Sequence, residues 1–256
     1  MNSLDVHFLL QEKMYFDEKI EKPEYDVFLS NQIEDAAWNF VSMKTKLSPR
    51  IIENVEKEMQ ARHRQSCFYF FHPIDEEDLA YLKKAGYQSI AQEVWMEHQG
   101  KETLLEMYPY KIAQTEKDLE DYLQVYFDAY GGEKSKENPQ GFSPAYTRSL
   151  VRHFFDEKFR HFIQYEDGVP VSAISLCIHQ DYAGLYNLGT KKAYRKKGYG
   201  TSIFLASVHW AKTHQISSIL LQTEVDSKEE HLYQRLGFQR MGIGVYFIKA
   251  SQEEKS

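Results

Sequence analysis

Residues 108–249 alternate between two periods of hydrophobic and polar positions. Apolar residues recur every three to four positions, as in amphipathic helices, in residues 116–130, 144–155, 201–214 and 228–236. Compact or alternating apolar runs, typical of strands, occupy residues 108–113, 159–165, 169–178, 184–190, 217–223 and 241–249. The resulting order, β-α-α-β-β-β-α-β-α-β, predicts an α/β domain with a central sheet flanked by helices.

The first hundred residues repeat part of this pattern. Residues 80–97 align without gaps with residues 231–248 at a constant offset of 151. Farther upstream, residues 37–44 match residues 185–192 at an offset of 148, so the first copy is three residues shorter. This register predicts a tandem protein with a truncated first copy and a boundary near Gly100, giving domains of residues 1–100 and 101–256.

The missing residues fall opposite residues 193–202, AYRKKGYGTS, which join a predicted strand to a predicted helix. The N-terminus of a helix carries unbonded N–H groups and a partial positive charge. Glycine lets the backbone approach an anion closely, and basic side chains add charge. The stretch therefore predicts a phosphate site, although its two glycines match neither a Rossmann fingerprint nor a P-loop.

The distribution of charge favours a compact anion over a long one. The chain carries a net charge of −7, and residues 1–100, with 11 basic and 18 acidic residues, account for all of it. Residues 101–256 hold 20 of each, with a basic cluster confined to residues 191–197. This pattern disfavours a nucleic-acid partner. We expect no membrane span, because no run approaches twenty apolar residues.

The two cysteines, Cys67 and Cys177, lie in separate strand-like runs. They form neither a CxxC pair nor a Cys/His cluster, so we expect a reduced, cytoplasmic protein with no disulfide framework. The histidines show no metal-ligand spacing either, and the sequence predicts no metal site. The sequence Gly242-Ile243-Gly244 in the last strand predicts a bulge rather than a second phosphate loop.

Two motifs together resemble the GCN5-related N-acetyltransferase (GNAT) family. The segment from Thr190 to Gly200 is similar to the family's acetyl-CoA loop, V-x-P-x-x-R-x-x-G-x-G, with Lys192 in place of the usual proline. Residues 226–238 resemble its second signature, N-x-x-A-x-x-L-Y-x-K-x-G-F, with Asp226 for asparagine and Glu229 for alanine. The resemblance covers about residues 101–250 and implies a mixed, mostly antiparallel sheet flanked by helices, the acyl-CoA N-acyltransferase fold.

The resemblance also implies a cosubstrate, acetyl-CoA, and assigns residues to it. Backbone groups of Leu188 and Thr190 would pair with the pantetheine arm. Tyr233 would act as the general acid that protonates the departing thiolate. Backbone amides of the loop and helix start would bind the pyrophosphate: Arg195, Lys196, Lys197, Gly198, Tyr199, Gly200 and Thr201.

The acceptor side is less defined. An amine must lose its proton before it attacks a thioester, and Glu224, at the end of its predicted strand, is the candidate general base. Tyr186 and Asn187 are candidates for lining the acceptor side. The sequence leaves open which primary amine is acetylated, small or peptide, and the oligomeric state. It also leaves open transfer of a longer acyl group and a role as a non-catalytic acyl-CoA sensor.

The first copy lacks both motifs. At the place equivalent to the loop it reads KTKLSPRIIENV, with no glycine and a proline before the helix. Leu82 occupies the position that matches Tyr233. We therefore expect residues 1–100 to be a degenerate acetyltransferase-like copy that does not bind the cofactor, and expect its negative charge to favour a cationic acceptor.

Overall fold

The computed structural model describes residues 3–71, 73–100 and 108–249. In chain order the helices are α1 (Ser3–Gln11), α2 (Pro49–Ala61), α3 (Glu76–Lys84), α4 (Glu116–Tyr130), α5 (Pro144–His153), α6 (Tyr199–Thr213) and α7 (Lys228–Arg235). The strands are β1 (Glu18–Glu21), β2 (Tyr25–Leu29), β3 (Phe40–Met43), β4 (Cys67–Phe71), β5 (Tyr87–His98), β6 (Tyr110–Ile112), β7 (Phe159–Glu166), β8 (Val169–His179), β9 (Tyr182–Thr190), β10 (Ser218–Glu224) and β11 (Phe238–Lys249).

The chain forms two compact units that exchange segments. Unit 1 consists of residues 1–14, 97–221 and 233–239, and unit 2 of residues 15–96, 222–232 and 240–256. Unit 1 thus includes α1, and unit 2 includes most of β11. The sequence pattern shows where elements lie along the chain, but it does not show which sheet each terminal segment joins.

The sheet of unit 1 is mixed and mostly antiparallel. Its strands follow the order β10-β9-β8-β7-β6, in which β9 and β10 are parallel and the other neighbours antiparallel. Helices α1, α4 and α6 pack against β8 and β9. The predicted fold class is thus confirmed, and the parallel pair β9–β10 is connected through α6, as crossover connections require.

Helix α4 begins at a well-formed cap. The Thr115 hydroxyl accepts from the Asp118 amide, and the Asp118 carboxylate accepts from the Thr115 amide, which makes a capping box. Burial opposes ionisation of Asp118, but hydrogen bonds from Lys111 and from backbone amides outweigh it and lower the pKa of Asp118 to about 2. The helix ends at Gly131, whose φ of +86° suits glycine.

Unit 2 has a sheet of the same kind. Its strands follow the order β1-β2-β3-β4-β11-β5, with β3 and β4 parallel and joined through α2. A cluster of buried side chains from β2, β3, β4, α2 and α3 forms its core, including Val55, Phe68 and Leu82. Each of these three side chains is fully buried, so this packing supplies much of the stability of the unit.

Elements of the two units lie at the spacing that the repeat predicts. Strand β5 shifted by 151 positions coincides with β11 at both ends, and the first residue of β4 shifted by the same number is the first of β10. The sequence pattern indicated neither α1 nor the short strands β1 and β2. These elements are short, and two strands of four and five residues carry too little periodicity to be distinguished from loops.

The bulge predicted at Gly242-Ile243-Gly244 does not extend to its last residue. Strand β11 pairs with β4 in regular antiparallel register from Gly244 to Ile248. A Cβ at Gly244 would collide with the Tyr69 hydroxyl, and one at Gly242 would lie 2.8 Å from the ring of Phe71. The two glycines thus make room for aromatic rings of the neighbouring strand.

Candidate functional site

The loop between β9 and α6 contains two residues with left-handed backbone conformations. A single 3-10 turn, Lys192–Tyr194, follows the strand. Lys196 then has a φ of +63° and Gly198, the N-cap of α6, a φ of +89°. Left-handed residues are common in the backbone turns whose amides bind anions.

The N-terminus of α6 has no side-chain cap within the part of the chain that the structure describes. The first intrahelical bond runs from the Ser202 amide to the Gly198 carbonyl, so the four preceding amides have no intrahelical acceptor. A Cβ at Gly200 would lie 3.0 Å from Thr190 Oγ1, so the helix start and the strand end approach closely. This close approach explains glycine at position 200.

The basic side chains of the loop differ in how firmly they are held. Arg195 donates to the carbonyls of Thr190 and Ala129 at 3.1 and 3.0 Å, which fixes the loop to the strand end and to α4. Lys197 lies 3.7 Å from a carboxylate oxygen of Glu166, and its ammonium group lies over the ring of Tyr194. Lys196 is exposed and, among the described residues, forms no ion pair, so its charge is available to a ligand.

Tyr199 is the first residue of α6, and its side chain is buried although the loop before it is exposed. Its hydroxyl donates to Glu166. That hydrogen bond, with smaller contributions from burial and nearby negative charge, raises the pKa of Tyr199 to about 12. Its side chain therefore anchors the helix start, while its backbone amide is one of the four without an intrahelical acceptor.

The end of β9 is bulged. The register between β8 and β9 shifts between Ala173 and Ser175, and Asn187, opposite that shift, has a φ of +55°. Within the described residues, β9 pairs with β10 only over its first residues, Tyr182, Ala183 and Gly184. The backbone of the following half of β9, which includes Leu188 and Thr190, is therefore not part of the parallel ladder, as a site for an added extended ligand requires.

Tyr130, which the sequence analysis did not single out, lies at this strand end. Its hydroxyl donates to the Leu188 carbonyl at 3.0 Å. Nearly half of the tyrosine surface is exposed (47%), yet desolvation raises the pKa of Tyr130, and the nearby phenols of Tyr126 and Tyr233 raise it further. Tyr130 ends the predicted helix next to a Gly-Gly pair, but a hydrogen bond to a residue 58 positions away leaves no signal in the sequence.

Tyr233 lies on α7 and is half-buried. Its ring stacks on Phe204 of α6, with 5.0 Å between ring centroids and 24° between planes, and Phe238 lies 6.4 Å away. Tyr233 also raises the pKa of Tyr130 electrostatically. The structure thus packs Tyr233 on α6 through Phe204.

Glu224 and Tyr186 are two further residues that the sequence analysis named as candidates. Glu224 is exposed at the end of β10 and belongs to unit 2. Tyr186 lies over Gly184, and its hydroxyl is 3.0 Å from Nδ1 of His7. Burial lowers the pKa of His7 to about 3, so this imidazole is neutral near pH 7.

Within residues 3–71, 73–100 and 108–249, no three His, Cys, Asp or Glu side chains are grouped so that they could hold a metal ion. No helix in the same residues is both long and apolar enough to span a membrane. Cys67 and Cys177 are both buried free thiols.

Comparisons with known proteins agree with this geometry. The sequence model of the Acetyltransferase (GNAT) family matches residues 118–238. A GCN5-related N-acetyltransferase from Kribbella flavida shares the fold with a TM-score of 0.70 and 14% identity, over 98% of this chain and 95% of its own. No curated protein sequence matches the chain.

Two further solved structures share the fold over most of the chain. A functionally unknown conserved protein from Staphylococcus epidermidis ATCC 12228 has a TM-score of 0.68 at 18% identity, over 93% of this chain and 96% of its own. A tandem GNAT protein from the clavulanic acid biosynthesis pathway has a TM-score of 0.56 at 13% identity, over 89% and 79%. Residues 118–238, which hold the β9–α6 loop and Tyr233, thus form a domain of the acetyltransferase (GNAT) family.

Proposed function

We propose that this protein is an N-acetyltransferase that transfers the acetyl group of acetyl-CoA directly to a primary amine. One observation carries the proposal: α6 begins with uncapped amides behind two left-handed residues, Lys196 and Gly198, next to the end of β9, which pairs with β8 but not with β10. A pyrophosphate needs such amides, and an extended pantetheine arm needs such a strand. The family domain supports acyl transfer in general.

The residues of the loop fit the cosubstrate. The backbone amides of residues 195–201 would bind the pyrophosphate, and Lys196 would add positive charge at the same place. Leu188 and Thr190 would pair with the pantetheine arm through their backbone groups. Because the Leu188 carbonyl accepts from Tyr130, the arm would replace that hydrogen bond. Bound acetyl-CoA supplies the thioester whose acyl group is transferred.

Transfer needs one acid and one base. The amine nitrogen attacks the thioester carbonyl carbon, the carbon–sulfur bond breaks, and the leaving thiolate takes the hydroxyl proton of Tyr233. A phenol with an ordinary pKa near 10 can protonate a thiolate of pKa near 8.5 only when geometry helps. Stacking on Phe204 supplies a fixed orientation. Glu224 is the candidate base, and Tyr186 and Asn187 are candidates for the acceptor side.

We infer that residues 1–100 are a degenerate copy of the same domain and residues 101–256 the active one. The loop of the first copy has no glycine, and its helix α2 is capped by Ser48, whose side chain accepts from the Ile51 amide. A helix N-terminus already bonded to its own chain has less to offer a phosphate.

We expect a cationic amine acceptor, small or peptide, and a cytoplasmic location, with no nucleic-acid or membrane partner. The surplus of acidic residues in residues 1–100 favours a cation, and the two reduced cysteines suit a cytoplasmic protein. Acetyl transfer to cationic amines should then weaken with rising ionic strength, whereas transfer to neutral amines should not. Equal salt dependence for both would contradict the electrostatic part of the proposal.

Two measurements test the function. Calorimetric titration with CoA and acetyl-CoA should show one site per chain, and Gly198→Ser should weaken it. Release of the CoA thiol should then follow when a panel of primary amines is added with acetyl-CoA. CoA binding without thiol release for any amine would favour a non-catalytic sensor, and faster release from longer acyl-CoA esters would favour a different donor. Absence of CoA binding would overturn the proposal.

A further inference from the structure

Two carbonyl groups at the end of β9 point away from β8, toward the edge that an added strand would use. The Lys191 amide donates to the Val171 carbonyl of β8, so the Thr190 carbonyl, in the same trans peptide, points away from β8. The Leu188 carbonyl, two residues earlier, faces the same edge, because backbone groups alternate along a strand. In the part of the chain that the structure describes, β10 pairs along this edge with residues 182–184 only.

Each of these two carbonyls already has a side-chain donor. The Tyr130 hydroxyl donates to the Leu188 carbonyl at 3.0 Å, and Nε of Arg195 donates to the Thr190 carbonyl at 3.1 Å. Arg195 also donates to the carbonyl of Ala129, which precedes Tyr130 at the end of α4. The chain thus occupies, with its own donors, the two acceptors that a pantetheine arm would use.

The ring of Tyr130 lies against the strand between the two carbonyls. A Cβ at Gly189 would lie 2.9 Å from the Cβ of Ala129 and 3.7 Å from a ring carbon of Tyr130, so the last turn of α4 packs directly on β9. Tyr126, one turn earlier, packs on the same ring with 5.0 Å between ring centroids. An extended ligand could therefore pair with Leu188 only after the Tyr130 hydroxyl has moved away.

Of the two donors, Tyr130 is the one that a ligand displaces more easily. Displacement of Arg195 would break hydrogen bonds to two carbonyls, whereas displacement of Tyr130 breaks the one to Leu188. Nearly half of the Tyr130 surface is exposed, while Tyr126 beside it is buried. Exposed side chains change rotamer within nanoseconds, so the phenol can turn toward solvent without opening the core.

We propose that Tyr130 is a specificity-determining residue: in the free protein it occupies the Leu188 carbonyl in place of the pantetheine arm, and it leaves when the arm binds. The arm then replaces one hydrogen bond by another, so this contact adds little net affinity. A protein whose binding-competent state is only partly populated binds its ligand more weakly by that fraction. Tyr130 therefore lowers the affinity for ligands that carry the arm and does not affect ligands without it.

This inference rests on the proposed function, and its test compares two ligands of the full chain. The ligands are CoA and adenosine 3′-phosphate 5′-diphosphate, which is CoA without its pantetheine arm. In calorimetry, Tyr130→Phe should bind CoA about two- to tenfold more tightly than the parent protein, because the competing hydrogen bond is gone. Its affinity for the nucleotide should be unchanged. Tyr182→Phe, which removes a hydroxyl at the other end of β9, should change neither affinity.

The outcomes separate this inference from the proposed function. An unchanged or lower CoA affinity in Tyr130→Phe would overturn the inference. An equal gain for both ligands would also overturn it, because the hydroxyl would then not compete with the arm. In both cases the parent protein still binds CoA, so the proposed function stands. If the parent protein binds neither ligand, the proposed function fails, and the inference fails with it.

Discussion

The helices α2 and α6 occupy equivalent positions in the two units, yet their N-termini differ in chemistry. Ser48 caps α2: its hydroxyl accepts from the Ile51 amide at 3.3 Å, and proline occupies the first helical position. The amide before this cap, that of Leu47, donates to the Asp78 carboxylate at 2.8 Å. In unit 2, therefore, side-chain oxygens of the chain accept from the Leu47 and Ile51 amides, on either side of the start of α2.

At α6 the same place is left open. Gly198 provides no side chain, and the amides at the helix start have no intrahelical acceptor. The comparison teaches that the same strand–helix connection can have a helix start that the chain's own oxygens cap or one whose amides stay available to a ligand. The next helices, α3 and α7, also differ. Leu82 of α3 is buried, whereas Tyr233, at the matching position of α7, is half-buried.

Replacement of Leu82 by alanine should have the largest effect. Leu82 is fully buried in the core of unit 2, so the cavity should lower the free energy of unfolding by about 2–5 kcal/mol. Urea unfolding measures this change. The neighbouring exposed Lys83→Ala should stay within about 0.5 kcal/mol of the parent protein. A large loss of CoA affinity in folded Leu82→Ala would contradict a purely structural first copy.

Tyr233→Phe tests the matching position in the other copy. Removal of the hydroxyl should lower kcat on the order of a hundredfold, because the leaving thiolate would lose its acid. The stacking ring remains, so CoA affinity should barely change. Tyr81→Phe, which removes a hydroxyl from α3, should leave kcat unchanged. Equal loss of kcat and CoA affinity in Tyr233→Phe would count against its role as an acid.

Gly198→Ser gives α6 the kind of cap that α2 has. Serine would adopt the φ of +89° only at a cost of about 1–2 kcal/mol, and its hydroxyl would compete for the helix amides. Calorimetry should show CoA affinity lowered about tenfold. Gly86→Ser carries the same backbone strain at a φ of +84° in unit 2 and should leave CoA affinity unchanged. Similar affinities in both variants would show that the helix start does not bind the pyrophosphate.

Ser48→Ala should have the smallest effect. Loss of the cap of α2 should cost about 1 kcal/mol of unfolding free energy without altering CoA affinity. Urea unfolding and calorimetry measure the two quantities. The exposed Ser89→Ala on β5 provides the control and should be neutral. A new CoA site in Ser48→Ala would show that the cap alone prevents residues 1–100 from binding CoA.

The sequence predicted those parts of the fold that depend on local pattern. Helix α4 has the predicted bounds, since it carries a strong helical period between a capping box and a glycine. The loop before α6 was likewise readable, because glycine and basic residues reflect the local backbone. The positions of Leu188, Thr190 and Tyr233 follow from the motifs that resemble the family.

What the sequence could not show depends on distant pairing. The bulge at Asn187 arises from the register of β8 against β9. Asparagine adopts a positive φ more readily than most residues, but a single asparagine within a strand does not identify a bulge. Tyr130 reaches Leu188 only because α4 packs on β9. Glu93 of β5 likewise accepts from Tyr69 of β4 and Tyr246 of β11, and the alignment of these three strands exists only in the folded sheet.

The exchange of end segments between the units bears on how the chain is made. Strand β11, at the end of the sequence, lies between β4 and β5 in the sheet of unit 2, while α1 completes unit 1. During synthesis residues 15–98 emerge long before β11, so the sheet of unit 2 lacks an inner strand until residue 249 has been made. A chain stopped at residue 230 should therefore expose the edges of β4 and β5 and aggregate.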